Sequence, residues 1–125
     1  MQSISFNLEN PKWKKEFPEH KMIISNAMKK TFQIENINIK KNHISVLLTS
    51  DNTIKDLNFK YRNKNKATNV LAFSVQEFIE KKNYVGDLAI SLEKIMYESN
   101  KYKIKKNQYL SKITIHGILH LLGYD

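Results

Sequence analysis

Hydrophobic and polar residues alternate along the chain with two spacings, one typical of strands and one typical of helices. Short runs rich in β-branched residues predict four strands, at Ser3–Asn7, His43–Ser50, Val70–Val75 and Tyr84–Ser91. Apolar residues three or four positions apart predict helices, at Lys12–Phe32, Asn52–Arg62, Leu92–Lys101 and Asn107–Leu122. The order β-α-β-α-β-β-α-α predicts an α+β fold, a mixed four-stranded sheet packed with helices.

Several residues mark where these elements start and stop. Pro18 lies inside the first helical pattern and predicts a break there. Asp51 and Ser91 are predicted to cap the helices that follow them, and Gly123 is predicted to end the last helix. The polar stretch Gln76–Asn83 joins the third and fourth strands as a hairpin-like excursion.

Length and composition narrow the class of protein. The 125 residues fit a single domain, 1–125, and contain no cysteine. A disulfide framework, a thiolate zinc site and a cysteine nucleophile are therefore excluded, and a metal site has to use histidines and carboxylates. No segment resembles a targeting signal or reaches the ~20 apolar residues of a membrane span, so we expect a soluble cytoplasmic protein without membrane contacts.

The charge of the chain favours a polyanionic partner. The formal net charge is +9, and 20 of the 21 basic residues are lysines. RNA is the first candidate partner, although a lysine-rich codon bias explains the same excess. The lone arginine, Arg62, is then informative, because a planar bidentate grip on phosphate or carboxylate is what lysine cannot provide.

Two histidines near the end of the chain have the spacing of a metal-ligand pair. His116 and His120 are four residues apart on the last predicted helix, so their rings share one face. Gly123 follows three residues later, where a turn brings the next residues back toward the same face. Zinc peptidases of the metzincin type use a similar spacing, but Gly117 replaces their catalytic glutamate. The pair predicts a metal site and excludes a peptidase.

The same histidines have a purely structural interpretation, because His-x-x-x-His alone is a weak signal and both could simply be satisfied side chains on a helix. His20 and His43 lack any such context, and we expect them at the surface. Aromatic residues near the motifs, Tyr61, Phe73 and Tyr124, are expected to belong to the core rather than to stack on bases.

Three motifs, in order, carry a family resemblance. They are Leu57-Asn58-x-x-Tyr61-Arg62-x-Lys64 with Thr68-x-Val70-Leu71-x-Phe73, then Gly86-Asp87-Leu88-x-Ile90-Ser91, and His116-Gly117-x-Leu119-His120-Leu121-x-Gly123-Tyr124-Asp125. They resemble the motifs of the YbeY family, bacterial metal-dependent endoribonucleases of rRNA maturation. The resemblance implies one YbeY-like metallohydrolase domain with the metal-site helix at its C-terminus.

The resemblance implies an activity and its partners. It implies a single-strand-specific, zinc-dependent endoribonuclease in rRNA processing, maturation and ribosome quality control. One Zn²⁺ per chain would be held by His116 and His120. The expected partners are rRNA precursors and the ribosome or ribosome-associated proteins.

The resemblance also implies roles for other residues. Arg62 and Lys64 would be catalytic residues that face the metal and grip the scissile phosphate. Asp87 would orient a zinc-bound histidine, although a turn residue paired with nearby backbone is an equal alternative. Thr68 and Asn69 would contact the substrate backbone.

The last motif departs from the family at its end. The family continues with a third histidine, the third metal ligand, directly after the position of Asp125. We expect either that Asp125 replaces it, through its side chain or an α-carboxylate, or that the sequence is a shortened form. Two other functions follow from these alternatives. One is a catalytically impaired factor that binds RNA or the ribosome, and the other is a metal-dependent hydrolase of a different phosphoester.

Overall fold

The computed structural model describes residues 4–74 and 84–124, and its elements follow the predicted order. They are β1 (Ile4–Leu8), α1 (Lys12–Glu16), α2 (His20–Ile34), β2 (His43–Thr49), α3 (Asp51–Arg62), β3 (Val70–Ser74), β4 (Tyr84–Ser91), α4 (Leu92–Lys101) and α5 (Lys106–Leu121). A short 3-10 turn covers Ile39–Lys41. The predicted excursion Gln76–Asn83 lies outside the described residues. Among the described helices, none is both long and apolar enough to cross a bilayer.

The four strands form one mixed sheet in the order β1-β2-β4-β3. β1 pairs with β2 in parallel, and β2 pairs with β4 in parallel. β3 is antiparallel to β4 and, as the last strand in this order, lies at one edge of the described sheet. The predicted α+β fold with a mixed four-stranded sheet is confirmed.

The two faces of the sheet pack against different helices. Alternate residues of each strand point to opposite faces. On one face, Val46 and Leu88 belong to the main hydrophobic core, together with buried residues of α1, α2, α4 and α5. On the other face, Leu71 and Ala89 pack against Ile54 of α3 in a smaller cluster. Consequently α3 and α5 lie on opposite sides of the sheet.

The helix ends mostly follow the sequence signals. The break predicted at Pro18 is confirmed, because α1 and α2 are separate helices on either side of it. The Ser91 hydroxyl caps α4 by accepting a hydrogen bond from the Lys94 amide at 3.4 Å. The prediction for Asp51 is wrong by one residue, since Ser50 is the N-cap and Asp51 is the first helical residue. Asp51 instead accepts a hydrogen bond from the Ser91 hydroxyl at 2.5 Å.

His20 is not the surface residue that the sequence predicted. Only 5% of it is exposed, and its Nδ1 lies 2.8 Å from the Phe17 carbonyl oxygen. Its ring packs edge-on against Phe6 of β1. The chain turns between α1 and α2, and this turn directs the first residue of α2 inward. His43 is half-buried, and its ring stacks on Tyr84.

Among the three glycines, Gly86 of β4 is the one where a side chain is least tolerated. A Cβ there would overlap the Phe73 carbonyl oxygen and lie 2.7 Å from Leu121 Cδ2, and its φ is +154°. We expect Gly86→Ala to lower the free energy of unfolding by about 3 kcal/mol or more, through backbone strain and overpacking together. Urea unfolding with an unchanged m-value measures this.

Gly123 provides the matched control for that substitution. Its φ is +101°, but a Cβ there would have nothing within 4 Å. Gly123→Ala therefore tests the backbone conformation without steric overlap, and we expect a loss of only about 1–2 kcal/mol. Equal losses for the two variants would show that the contacts around Gly86 do not limit stability.

Candidate active-site cleft

The two motif histidines lie side by side on the exposed face of α5. The opposite face of this helix, which includes Gly117 and Ile118, is buried against the sheet. A Cβ at Gly117 would lie 2.9 Å from Leu88 Cδ2, so the glycine allows α5 to pack closely on β4. Burial of this face fixes the direction of the helix and leaves both imidazoles pointing toward solvent.

The ring nitrogens of the pair converge. His116 Nε2 and His120 Nε2 are 3.0 Å apart, and the ring planes are nearly perpendicular at 82°. Imidazole nitrogens lie ~2.0–2.1 Å from a bound zinc ion, so two ligands of one tetrahedral ion are roughly 3.3 Å apart. The pair therefore fits two positions of a zinc site.

The protonation of His116 also suits a metal ligand. Partial burial, and then the nearby His120 and Lys112, lower the pKa of His116 below its usual value. A lowered pKa favours the neutral imidazole, which is the form that binds metal.

The two histidines supply only part of a zinc site, which needs further ligands. Within residues 4–74 and 84–124, no cluster of three or more histidine or acidic side chains is placed to hold a metal ion. Asp125, the predicted third ligand, lies outside the described residues. A complete metal site formed by His116, His120 and Asp125 therefore stays a prediction.

Arg62 and His120 share a cleft, which Arg62 reaches from the opposite side of the sheet. It is the last residue of α3, and its Nη2 donates a hydrogen bond to the Ala72 carbonyl oxygen of the edge strand β3 at 2.5 Å. Its guanidinium also lies 5.1 Å from the centre of the Phe73 ring. Arg62 and His120 line one cleft of about 340 Å³, together with Val70, Leu71, Ala72, Gly123 and Tyr124. The structure thus brings the lone arginine and His120 together around the edge of the sheet.

The other residues of the second motif lie around this cleft rather than in it. Lys64 is exposed in the loop after α3, and its amide donates to the Asn58 carbonyl oxygen at 3.2 Å. Thr68 is half-buried before β3. The Asn69 side chain donates to Glu98 Oε1 at 3.0 Å, which ties the start of β3 to α4. Among the described residues, neither Lys64, Thr68 nor Asn69 lines the cleft of Arg62 and His120.

Asp87 lies on the other face of the sheet from the histidine pair. Its neighbour Leu88 packs under α5, so the alternation of β4 turns Asp87 away from that helix. The Asp87 carboxylate accepts a hydrogen bond from the Tyr84 hydroxyl, and burial and this carboxylate raise the pKa of Tyr84. The structure therefore does not bring Asp87 to the histidines.

A second, larger cleft of about 790 Å³ lies on the face of Asp87. Tyr61 and Phe73 line it, beside polar residues of the strands. Tyr61 was predicted for the core, but it is 60% exposed, and so the prediction is wrong. Tyr124 is also exposed, and its hydroxyl donates to Glu35 at 2.5 Å.

Comparison with known proteins agrees with the motifs. A family model for endoribonuclease YbeY matches residues 7–125. Endoribonuclease YbeY of Buchnera aphidicola subsp. Baizongia pistaciae is 44% identical over 92 residues, which cover 71% of this chain and 60% of that protein. Endoribonuclease YbeY of Ehrlichia canis is 35% identical over 122 residues, which cover 98% of this chain and 79% of that protein. The chain thus spans about 60 to 80% of the length of these two curated relatives.

A solved structure shares the fold. The solution structure of TM1509 from Thermotoga maritima superimposes with a TM-score of 0.62 at 28% identity, covering 98% of this chain and 73% of that chain. Because the family model covers nearly the whole sequence and relatives above 30% identity match most of it, the chain belongs to the YbeY endoribonuclease family.

Proposed function

We propose that this protein is a single-strand-specific, zinc-dependent endoribonuclease that acts in rRNA processing, maturation and ribosome quality control. The observation that carries the proposal is the cleft shared by Arg62 and His120, with His116 Nε2 3.0 Å from His120 Nε2. A fixed cation that shares a cleft with a residue of metal-ligand type is an arrangement suited to phosphodiester cleavage. The family of the chain is one of endoribonucleases, which makes RNA the substrate class.

In this proposal His116 and His120 hold one Zn²⁺ per chain, and Asp125 supplies a third ligand. A bound ion would act as a Lewis acid in the cleavage of the phosphodiester. The lowered pKa of His116 keeps that ring neutral, and therefore able to bind the metal, at neutral pH. Residues 1–125 then form a single metallohydrolase domain.

Arg62 is the proposed catalytic residue of the protein itself. Its hydrogen bond to the Ala72 carbonyl holds the guanidinium at the edge of the sheet and leaves other N–H groups to grip phosphate oxygens. Charge that builds up on those oxygens in the transition state is stabilised by this fixed cation. Lys64 adds positive charge in the loop behind it, and Thr68 and Asn69 are proposed to contact the substrate backbone.

The proposed partners follow from charge and family. A net charge of +9 favours association with an RNA backbone. We propose that the protein acts in the cytoplasm on rRNA precursors, in contact with the ribosome or ribosome-associated proteins.

Metal removal tests the proposal directly. We expect purified protein of confirmed mass to contain about one zinc per chain and to cut single-stranded RNA but not the matching duplex. Chelation should abolish cleavage, and zinc added back should restore it. Cleavage by protein shown to be metal-free would rule out the zinc mechanism.

A second candidate is a factor that binds RNA without cutting it. The net charge of +9 supports RNA binding whether or not the metal site is complete. RNA binding without cleavage at any zinc concentration would support it over the enzyme.

A further inference from the structure

Two clefts lie on either side of the edge strand β3, and adjacent residues of α3 enter them. Arg62 lines the cleft that includes His120, whereas Tyr61 lines the larger cleft on the other face. Both side chains contact one ring, because the centre of Phe73 is 5.5 Å from the Tyr61 ring centre and 5.1 Å from the Arg62 guanidinium. The aromatic surface and the proposed phosphate-binding cation are therefore direct neighbours.

The larger cleft has the chemistry of a nucleobase site. One wall is aromatic, formed by Tyr61 and Phe73, whose planes meet at 66°. The rest of the lining includes polar side chains of Ser5, Asn7 and Ser45 from the neighbouring strands. A nucleobase has two apolar π-faces and a polar edge. The aromatic wall can stack on a π-face, and the polar side chains can form hydrogen bonds with the edge.

The exposure of Tyr61 also supports a nucleobase site. A tyrosine that fills the core is buried, yet 60% of Tyr61 is exposed at the rim of the cleft. The Lys60 ammonium lies 5.3 Å from the centre of its ring and adds positive charge beside Arg62. An aromatic face flanked by two cations suits a stacked base with phosphates on either side.

We propose that an unpaired base of RNA stacks on Tyr61 in the larger cleft while an adjoining phosphate lies at Arg62. This inference rests on the proposed function and adds a positioning residue to it. A base that is held in a duplex is already stacked and paired, so it is not free to enter the cleft. Tyr61 would therefore contribute to the preference for single-stranded RNA.

Binding to metal-free protein tests the inference separately from cleavage. The probe is a short fluorescein-labelled single-stranded oligoribonucleotide, with chelator present, and the readout is fluorescence anisotropy. We expect Tyr61→Leu to weaken binding by about 5- to 100-fold, the range for loss of one base stack, and Tyr61→Phe to stay within about 2-fold. Tyr97→Leu is the matched control, because Tyr97 is 64% exposed on α4 and does not line the larger cleft formed by the described residues.

A second probe separates base stacking from contact with the backbone. It is an abasic ribose-phosphate chain of the same length, to which wild type and Tyr61→Leu should bind equally. A Tyr61→Leu defect of the same size on both probes would overturn the inference, as would a Tyr61→Leu affinity equal to that of Tyr97→Leu. Wild type that binds neither probe would overturn it too. Zinc-restored cleavage by the same wild-type preparation would still support the proposed function, so the two failures are distinguishable.

Discussion

Replacing His116 and His120 together by alanine is expected to abolish zinc binding and to reduce RNA cleavage by about 10³-fold or more. The size follows from the several kcal/mol that a Lewis acid contributes to a phosphoryl transition state. The two Nε2 atoms lie 3.0 Å apart on the same face of α5. The double variant therefore removes both of the proposed metal ligands that the structure describes. Since both rings are on the exposed face of the helix, the fold should be kept.

Elemental analysis and a cleavage assay, run beside each other, measure these two effects. His43→Gln is the matched control, because His43 hydrogen-bonds to Ser5 at 2.8 Å and lies on β2 rather than α5. The control should keep one zinc per chain and full cleavage. Urea unfolding of the double variant shows whether it is folded. A folded double variant that still holds one zinc per chain would place the metal elsewhere.

The histidine pair could be predicted from the sequence because its geometry is local. Residues four apart on a helix share a face wherever that helix packs, so His116 and His120 needed no knowledge of the fold. The end of the helix at Gly123 is local for the same reason, and its amide accordingly donates to the His120 carbonyl oxygen at 3.1 Å. The α+β order also followed from local periodicity.

Arg62 and His120 are far apart in the sequence, so the spacing of residues alone could not show that they share a cleft. It depends on β3 being at the edge of the sheet, so that a side chain from α3 reaches around to α5. Which strands pair is decided by contacts between distant segments, such as β4 lying between β2 and β3. The resemblance predicts that Arg62 faces a metal site, and the fold shows how its side chain comes to share a cleft with His120.

Asp87 and His20 show how the direction of the backbone decides where a side chain lies. Gly86, Leu88 and Ile90 alternate with Asp87 along β4, so the period of two already placed the carboxylate on the face opposite Leu88. The sequence predicts His20 at the surface because it lacks a metal-site context, yet the break after Pro18 turns it toward Phe6. In both cases the backbone direction decided the position of the side chain.

Arg62→Lys is expected to lower kcat/KM for single-stranded RNA by about 10²–10³-fold while zinc content stays unchanged. The guanidinium has five N–H donors in a fixed plane, so it can bond the Ala72 carbonyl oxygen at 2.5 Å and still present others to a phosphate. A lysine ammonium is a point charge on a flexible stem, and it cannot hold that carbonyl and bind a phosphate in the same bidentate way. The loss should therefore appear mainly in kcat.

Two further variants separate the effect of positive charge on α3 from the effect of the guanidinium fork of Arg62. Lys55→Met removes one positive charge from the exposed side of α3, and we expect only a small rise in KM from it. Arg62→Met removes both charge and fork, and should be at least as impaired as Arg62→Lys. If Arg62→Lys instead kept kcat within about 3-fold of wild type, any cation at the end of α3 would suffice. The hydrogen bond to Ala72 would then anchor the side chain without shaping the transition state. The lone arginine among 20 lysines would be a feature of packing at the sheet edge rather than of catalysis.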